Sequence, residues 1–253
     1  MAGSWVEIRE FASKKRQIDM RGVFISDLHL YSRRSIGQEC WQSIQSRVQD
    51  SECLVLGGDI FDFRWSEHRE LERTLDAAGN WLDELAQKNP NRDVVYVLGN
   101  HDCHKPMQDL LTSLSGLHSN FSWHEYYFRQ ENKIFLHGDV LDAGANRHQL
   151  DGYRGRFASE DRSRGKIPNF LYDVMVGMRV HRLPGRWLHQ AKRTVSRLGG
   201  YLANESMTLE NGIDQIYFGH THQPIRSRFG DQHFFNPGSG IRHLAFRPCF
   251  FEH

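Results

Sequence analysis

The feature that most constrains the fold of this chain is a set of five short apolar segments that stop abruptly at small or polar residues. They are rich in Val, Ile, Leu, Phe and Tyr, and most are continuously apolar, which is typical of strands buried on both faces. Gly, Asp, His or Asn follows each within two residues, and these residues form turns or bind ligands. The segments are Gly22–Ile25, Cys53–Leu56, Val94–Leu98, Lys133–Leu136 and Gln215–Phe218. The sequence therefore predicts five successive buried strands with polar side chains at their ends.

Helical patterns lie between the first predicted strands. Gln38–Val48 and Glu67–Gln87 place apolar side chains at intervals of three and four residues, the spacing of an amphipathic helix. Pro90 lies just beyond the second pattern and indicates its end. Strands that alternate with helices predict an α/β layered domain. A chain of 253 residues is long enough for such a core with an insertion, so we predict a single domain over residues 1–253.

Residues 143–213 break this alternation. No strand pattern occurs there, and twelve Lys and Arg residues face only six Asp and Glu residues. Phe170–Val180 and Trp187–Leu202 read as helices, and Pro184 and Gly185 separate them. We therefore predict a basic, helical, lid-like insertion on the core rather than an independent domain.

Composition limits the compartment and the class of partner. The formal net charge is +1, which argues against a dedicated nucleic-acid partner. The four cysteines form no CxxC pair, as expected in a reducing compartment. Residues 1–20 have no apolar signal segment, and no stretch approaches the ~18 apolar residues of a membrane span. These features predict a cytoplasmic protein.

The residues able to carry chemistry lie in the turns after the predicted strands. Asp27 and His29 are two residues apart at the end of a strand, so both side chains point to one face. Carboxylate, imidazole and amide ligands suit Mn²⁺, Fe or Zn²⁺ better than Ca²⁺. α/β sheets bind ligands beyond the carboxyl ends of their strands, so we predict a metal site there. The motifs are SDLHL (Ser26–Leu30), GGDIFD (Gly57–Asp62), GNHD (Gly99–Asp102), HGD (His137–Asp139) and GHTH (Gly219–His222). A weaker sixth signal is the turn Asn236–Ser239 after the aromatic strand at Phe234 and Phe235.

The order DLH, GGD, GNHD, HGD and GHTH resembles the calcineurin-like metallophosphoesterase superfamily over nearly the whole chain. This resemblance implies an αββα sandwich of two mixed β-sheets flanked by helices, with the site at one sheet edge. It implies two divalent metal ions, of which Mn²⁺ is the first expectation and Fe or Zn²⁺ the alternatives. The expected reaction is phosphoester hydrolysis by attack of a metal-bridging hydroxide. The implied ligands are Asp27, His29, Asp59 and His222 for one metal, and Asp59, Asn100, His137 and His220 for the second, with Asp59 bridging.

Three residues beside these ligands have expected roles of their own. His101 would be the general acid on the leaving oxygen or would clamp the phosphate, and Asp102 would orient His101. Asp62 is either a helix N-cap or a support for a ligand. Asp139 is expected to shape the turn after His137 rather than to bind metal.

Within the superfamily, DLHL, GDIFDF, HGD, an Asp–x–Tyr element (Asp151–Tyr153) and a basic insertion before GHTHQP are similar to the UDP-2,3-diacylglucosamine hydrolase family. That likeness implies cleavage of the pyrophosphate of a nucleotide-linked diacyl sugar. It also implies a lid, residues 143–213, in peripheral contact with the inner membrane. Apolar residues of the insertion would hold acyl chains or pack the insertion onto the core. They are Phe170, Leu171, Val174, Met175, Val176, Met178, Leu183, Trp187 and Leu188.

One position departs from this family. Its best-known members carry Arg where this chain has His101 in the GNxD motif. A histidine can donate a proton to a leaving group, whereas an arginine only stabilises charge. The alternative is therefore a general phosphodiesterase or nucleotide pyrophosphatase with a soluble substrate, and a third hypothesis is a non-catalytic scaffold.

Overall fold

Two mixed five-stranded sheets form the centre of the fold. The computed structural model describes residues 22–68, 70–144, 146–159 and 191–252. The first sheet contains β1 (Gly22–Ile25), β2 (Cys53–Leu56), β3 (Asp93–Val97), β4 (Phe121–His124) and β10 (Cys249–Phe251). Its order is β10-β1-β2-β3-β4, and only β10 is antiparallel to its neighbour.

The second sheet pairs strands from the middle and the end of the chain. It contains β5 (Tyr127–Gln130), β6 (Lys133–Leu136), β7 (Gln215–Phe218), β8 (Pro224–Phe229) and β9 (Gln232–Pro237). Its order is β5-β6-β7-β9-β8, with β6, β7 and β9 parallel and the two edge strands antiparallel. Within each sheet, the interior strands that were predicted run parallel to a neighbour; they are β1, β2, β3, β6 and β7. The carboxyl ends of these strands therefore lie on the same side of their sheet.

Helices cover the outer face of each sheet. The first sheet packs against α1 (Gly37–Gln49), α2 (Leu71–Lys88) and α3 (Lys105–Leu117). The second packs against α4 (Val140–Ala143) and α6 (Ala191–Asn204), and α5 (Arg147–Ser159) follows α4. A short 3₁₀ helix (Leu209–Asn211) precedes β7. In the described ranges, no helix combines the length and the apolar character needed to cross a membrane.

Side chains along the interior strands point alternately to the helices and to the layer between the sheets, which explains why these strands are continuously apolar. In β2, Leu54 and Leu56 pack against the helices, while Val55 enters the layer between the sheets. Aromatic rings fill that inner layer, with centroids 4.9 Å apart for Phe135 and Tyr217 and 5.8 Å apart for Phe24 and Phe135. Both faces of these strands are therefore removed from water, which is the main stabilisation that such runs provide.

The α/β class and the αββα sandwich of two mixed sheets are confirmed. Four of the five predicted strands have the predicted bounds, and the third is shifted by one residue to Asp93–Val97. The prediction that the five strands are successive was wrong, because β4 and β5 lie between β3 and β6. The first two helices were predicted within a few residues of α1 and α2.

The predicted insertion, residues 143–213, is described only at its two ends. Here α5, the 3₁₀ helix and α6 are helical, and no strand occurs in the described parts of residues 143–213. The predicted helix Phe170–Val180 and the first residues of the predicted helix Trp187–Leu202 lie outside the described residues. The apolar residues proposed for acyl chains lie outside them too.

Candidate metal centre

Ligand atoms from both sheets meet around His137. Its Nε2 lies 3.3 Å from an Asp59 carboxylate oxygen and 3.2 Å from the amide oxygen of Asn100. Its Nδ1 lies 2.9 Å from the backbone carbonyl of Gly57. A proton on Nδ1 would be donated to that carbonyl, so Nε2 is left to face the carboxylate. This contact joins the end of β6 in one sheet to the ends of β2 and β3 in the other.

A second group of ligand atoms surrounds Asp27. The Nε2 of His222 lies 3.3 Å from an Asp27 carboxylate oxygen and 3.1 Å from the Nε2 of His29. Two ring nitrogens at this distance can share at most one proton, so the pair offers a lone pair to a cation.

The donor set fits divalent ions. Ligand atoms lie within 4.8 Å of one another in three groups of described residues: Asp27 with His29 and His222, Asp27 with Asp59 and His137, and His29 with Asp62 and His101. Asp27 belongs to two of these groups, and so does His29. Buried carboxylates next to imidazoles make a site for a transition metal rather than for Ca²⁺.

The carboxyl groups of Asp27 and Asp59 are buried, yet their surroundings favour the ionised form. Burial raises the pKa of Asp27, but its hydrogen bond with His222 and the charge of His137 outweigh burial and lower the pKa overall. Burial also raises the pKa of Asp59, while the charges of His137 and His101 hold it well below the usual range. Two buried negative charges side by side need positive charge close by, which bound cations would supply.

Backbone strain is concentrated in the same loops. Nine non-glycine residues have a positive φ in the described part of the chain, and five of them are predicted ligands. Such conformations cost about 1–3 kcal/mol each and persist only where the surrounding structure imposes them. The five are Asp27 (φ 53°), His29 (φ 49°), Asp59 (φ 52°), His220 (φ 66°) and His222 (φ 55°).

Two glycines allow the loops to approach the carboxylates. A Cβ on Gly99 would lie 2.3 Å from a carboxylate oxygen of Asp59, and a Cβ on Gly219 would lie 2.3 Å from a carboxylate oxygen of Asp27. Neither distance is sterically allowed, so only glycine fits at either position. Each buried carboxylate is therefore in contact with the glycine of another motif.

Side chains at and just beyond the end of β9, together with backbone amides, hold the loops in place. Asn236 donates from Nδ2 to the carbonyl of Gly219 at 2.7 Å, and the Ser239 hydroxyl donates to the carbonyl of Asp27 at 3.0 Å. The backbone N–H of His220 lies 2.9 and 3.1 Å from the two oxygens of Asp27. The weak sixth sequence signal thus supports the ligand loops rather than supplying a ligand.

His220 is oriented differently from the other predicted ligands. Its Nε2 lies 2.8 Å from a carboxylate oxygen of Asp142 on α4. Its ring is edge-on to that of His137, with centroids 5.2 Å apart. Among the described residues, His220 is absent from the close groups of metal-binding atoms, so the structure brings six of the seven predicted ligands together and places the seventh beside them.

The expected partner of His101 requires a correction. Asp102 is buried and accepts hydrogen bonds from the hydroxyl of Tyr96 (2.6 Å) and the backbone N–H of Gly99 (2.6 Å) and Ile60 (3.3 Å). It therefore shapes the GNHD loop from behind, and the prediction that it orients His101 was wrong.

Asp62 occupies the position expected for Asp102. An Asp62 oxygen lies 3.7 Å from the Nδ1 of His101, and its other oxygen lies 3.8 Å from the Nδ1 of His29. Asp62 also accepts the backbone N–H of Trp65 at 3.0 Å. Asp62 thus caps a turn, and the helix N-cap alternative was wrong because the next helix, α2, begins only at Leu71. Its support of a ligand stays a prediction.

Sequence reasoning missed two residues of α4 and α5 that touch the centre. Arg154 of α5 is buried and binds both oxygens of Asp139, at 2.7 and 3.1 Å, directly after His137. Asp142 of α4 binds His220. A signal for Arg154 existed, because an apolar environment around HGD requires a counter-charge for Asp139. None existed for Asp142, since it is one of many surface acids.

Buried carboxylates, imidazoles and an amide where the ends of two mixed sheets meet form a site suited to a divalent metal ion. Residues 20–224 match the family model described as Calcineurin-like phosphoesterase. The chain belongs to the calcineurin-like phosphoesterase family, and it is an enzyme of the metal-dependent phosphoester hydrolase class. No curated protein matches the chain.

Several solved structures are similar in fold. A dimetal phosphatase from Danio rerio is 15% identical, with 92% of each chain covered and a TM-score of 0.47. The phosphoesterase Yfce from E. coli is 18% identical, with 86% of this chain and 79% of that chain covered and a TM-score of 0.39. Phosphopantetheinyl hydrolase from Mycobacterium tuberculosis is 14% identical, with 87% and 89% covered and a TM-score of 0.44. These likenesses concern the fold alone.

Proposed function

We propose that the protein hydrolyses a pyrophosphate or phosphodiester bond at a centre of two divalent ions, of which Mn²⁺ is the first candidate. The observation that carries this proposal is that two close groups of ligand atoms overlap at Asp27, where the ends of the two sheets meet. The first ion would take Asp27, His29, Asp59 and His222, and the second Asp59, Asn100, His137 and His220. When bound, the ions would activate water and neutralise charge on the phosphoryl oxygens.

His101 is the proposed general acid. Its side chain is 18% exposed and packs edge-on to His29, with ring centroids 5.2 Å apart. Its backbone N–H donates to Asp59 at 2.8 Å, which fixes the loop against the centre. Asp62 lies on the Nδ1 side of the ring, and we assign proton donation to Nε2, on the other side of the ring.

For the substrate, we propose a nucleotide-linked diphosphate that carries a lipid, such as UDP-2,3-diacylglucosamine. The support is the motif pattern of the sequence together with the basic insertion, residues 143–213, whose arginines could bind phosphate or anionic headgroups. With such a substrate, the insertion would contact the inner-membrane surface from the cytoplasm.

One observation favours a soluble substrate instead. The position that would carry Arg in the diacylglucosamine hydrolases carries His101, which suits a leaving group that needs a proton. The second candidate function is therefore a phosphodiesterase or nucleotide pyrophosphatase acting on a soluble substrate.

A single screen tests the reaction and separates the two substrates. The purified protein, loaded with Mn²⁺, Fe²⁺ or Zn²⁺, is given bis-p-nitrophenyl phosphate, UDP-glucose, or UDP-2,3-diacylglucosamine in detergent or liposomes. We expect turnover with Mn²⁺, and a strong preference for the lipid in detergent or liposomes if the insertion binds acyl chains. A rate on UDP-glucose equal to the rate on UDP-2,3-diacylglucosamine would support the soluble alternative. No turnover of any of the three compounds would support the scaffold hypothesis.

Paired isosteric variants test the metal assignment. The resemblance assigns the bridging role to Asp59, whereas Asp27 is the carboxylate shared by two of the close ligand groups. We expect Asp59→Asn to lose both ions and to lower turnover by more than ~100-fold, beyond the loss typical of a supporting residue. We expect Asp27→Asn to retain one ion. Metal analysis of both variants would reject the assignment if Asp27→Asn lost both ions and Asp59→Asn lost only one.

A further inference from the structure

The contact between Asp142 and His220 determines which nitrogen of His220 can bind a metal. The Nε2 of His220 lies 2.8 Å from the Asp142 carboxylate. An ionised carboxylate accepts hydrogen bonds but cannot donate them, so the proton of this bond sits on Nε2. The free lone pair of the ring is then on Nδ1, which becomes the nitrogen available to a cation.

His137 shows the opposite arrangement. There Nδ1 faces the Gly57 carbonyl at 2.9 Å, while Nε2 faces Asp59 and Asn100. In each ring, a hydrogen-bond acceptor lies against one nitrogen, which we call the outer nitrogen. The outer nitrogen is Nδ1 in His137 and Nε2 in His220. The two histidines assigned to one ion would bind it through different ring nitrogens.

The short helix α4 holds Asp142 in position, and both described ends of the insertion hold α4. Arg154 of α5 binds Asp139 at the start of α4. Arg197 of α6 donates to the backbone carbonyl of Leu141, and the Leu141 side chain is buried. Asp142 is therefore placed beside His220 by a fixed turn, although 43% of its side chain is exposed.

We propose that Asp142 is a positioning residue that selects the ring tautomer of His220 and orients it toward the centre. This inference rests on the proposed function in one respect, namely that His220 is a metal ligand. Carboxylates that hold a ligating histidine commonly change metal affinity by roughly 10–100-fold when they are removed.

The chain contains a matched control. His118 and Asp83 form an equivalent contact, with 2.6 Å between Nε2 and the carboxylate. It joins α2 to the end of α3, and neither helix contains a predicted ligand. Exposure is similar in the two pairs, at 10% and 43% for His220 and Asp142 and 13% and 36% for His118 and Asp83. Asp83→Asn therefore measures the effect of breaking a carboxylate–imidazole pair away from the centre.

The first measurement needs no metal. In the metal-free protein, ¹⁵N–¹H spectra of the imidazoles, with His220 identified by His220→Asn, should show the proton of His220 on Nε2. Asp142→Ala should shift the ring toward a mixture of tautomers, and Asp142→Glu should restore it. A wild-type ring protonated on Nδ1 alone would overturn the proposal.

The second measurement is Mn²⁺ affinity by calorimetry. We expect Asp142→Ala to weaken binding of one ion by roughly 10–100-fold, Asp142→Asn to weaken it less because the amide oxygen still accepts a hydrogen bond, and Asp83→Asn to leave it unchanged. Unchanged affinity in Asp142→Ala would overturn the inference while leaving the proposed function intact. Failure of the wild-type protein to bind Mn²⁺, Fe²⁺ or Zn²⁺ would instead overturn the proposed function.

Discussion

The two halves of the candidate centre hold their histidines in different ways. In the half that contains His137 and His220, an acceptor lies against the outer nitrogen of each ring. In the half that contains His29 and His222, the two Nε2 atoms face each other at 3.1 Å. Within the described residues, the Nδ1 of His29 has no hydrogen-bond partner. The protein itself thus orients one half, whereas the ligand atoms of the other half depend on what they bind.

The pKa values of the histidines also differ between the two halves. Burial and then the neighbouring His222 lower the pKa of His29 to about 4. Burial also lowers the pKa of His137, but the charges of Asp59, Asp27 and Asp139 outweigh it and raise the pKa to about 10. Without metal, the carboxylates around His137 therefore favour its protonated ring, while burial favours the neutral ring of His29.

The largest expected effect is a loss of turnover on substitution of His101, which lies beside the His29 half. We expect His101→Gln to lower turnover by about 10²–10⁴-fold, because it removes the proton donor for the leaving oxygen. Metal content should stay unchanged, since no metal ligand is lost. Steady-state kinetics and metal analysis measure the two quantities, and the exposed His233→Gln is the control. Loss of an ion in His101→Gln would show that this ring supports the His29 half instead.

The next effect concerns the support of the His137 half. Arg154→Met leaves the buried Asp139 carboxylate without its partner, and breaking a buried ion pair in this way costs about 3–5 kcal/mol. Urea unfolding of the metal-free protein measures the free energy of unfolding. The double variant Arg154→Met with Asp139→Asn should recover part of this loss, because the uncompensated charge is gone. A loss in Arg154→Met below about 1 kcal/mol would mean that the pair does not hold α5 to the core.

The smallest effect compares two carboxylates that face histidine ligands. Asp62 lies 3.8 Å from the Nδ1 of His29, beyond hydrogen-bond distance, whereas Asp142 bonds His220 at 2.8 Å. We therefore expect Asp62→Asn to weaken Mn²⁺ binding by less than about tenfold, and by less than Asp142→Ala does. The amide oxygen can still accept the N–H of Trp65, so the turn is retained. The reverse order in calorimetry would contradict the difference between the two halves.

The strands show what sequence periodicity can detect. All five predicted strands are interior strands with two neighbours, and β9, also interior, was anticipated at Phe234 and Phe235. The four strands that were missed, β4, β5, β8 and β10, are the edge strands of the two sheets. An edge strand has a neighbour on one side only, and β5 and β8 are partly exposed. Their residues therefore lack the continuous apolar run that made the interior strands visible.

The sequence by itself determined the interior strands, the ligand types and their order, because apolar runs and turn-forming residues act within a few positions of the chain. Only the tertiary structure decided which carboxylate meets which imidazole. Asp62 and Asp102 both lie close to a ligand in sequence, yet Asp102 faces Tyr96 behind the loop while Asp62 faces His101 and His29. Asp142 meets His220 across 78 positions of sequence. Such pairings depend on how two sheets and the short helix α4 pack together, and no local pattern encodes that distance.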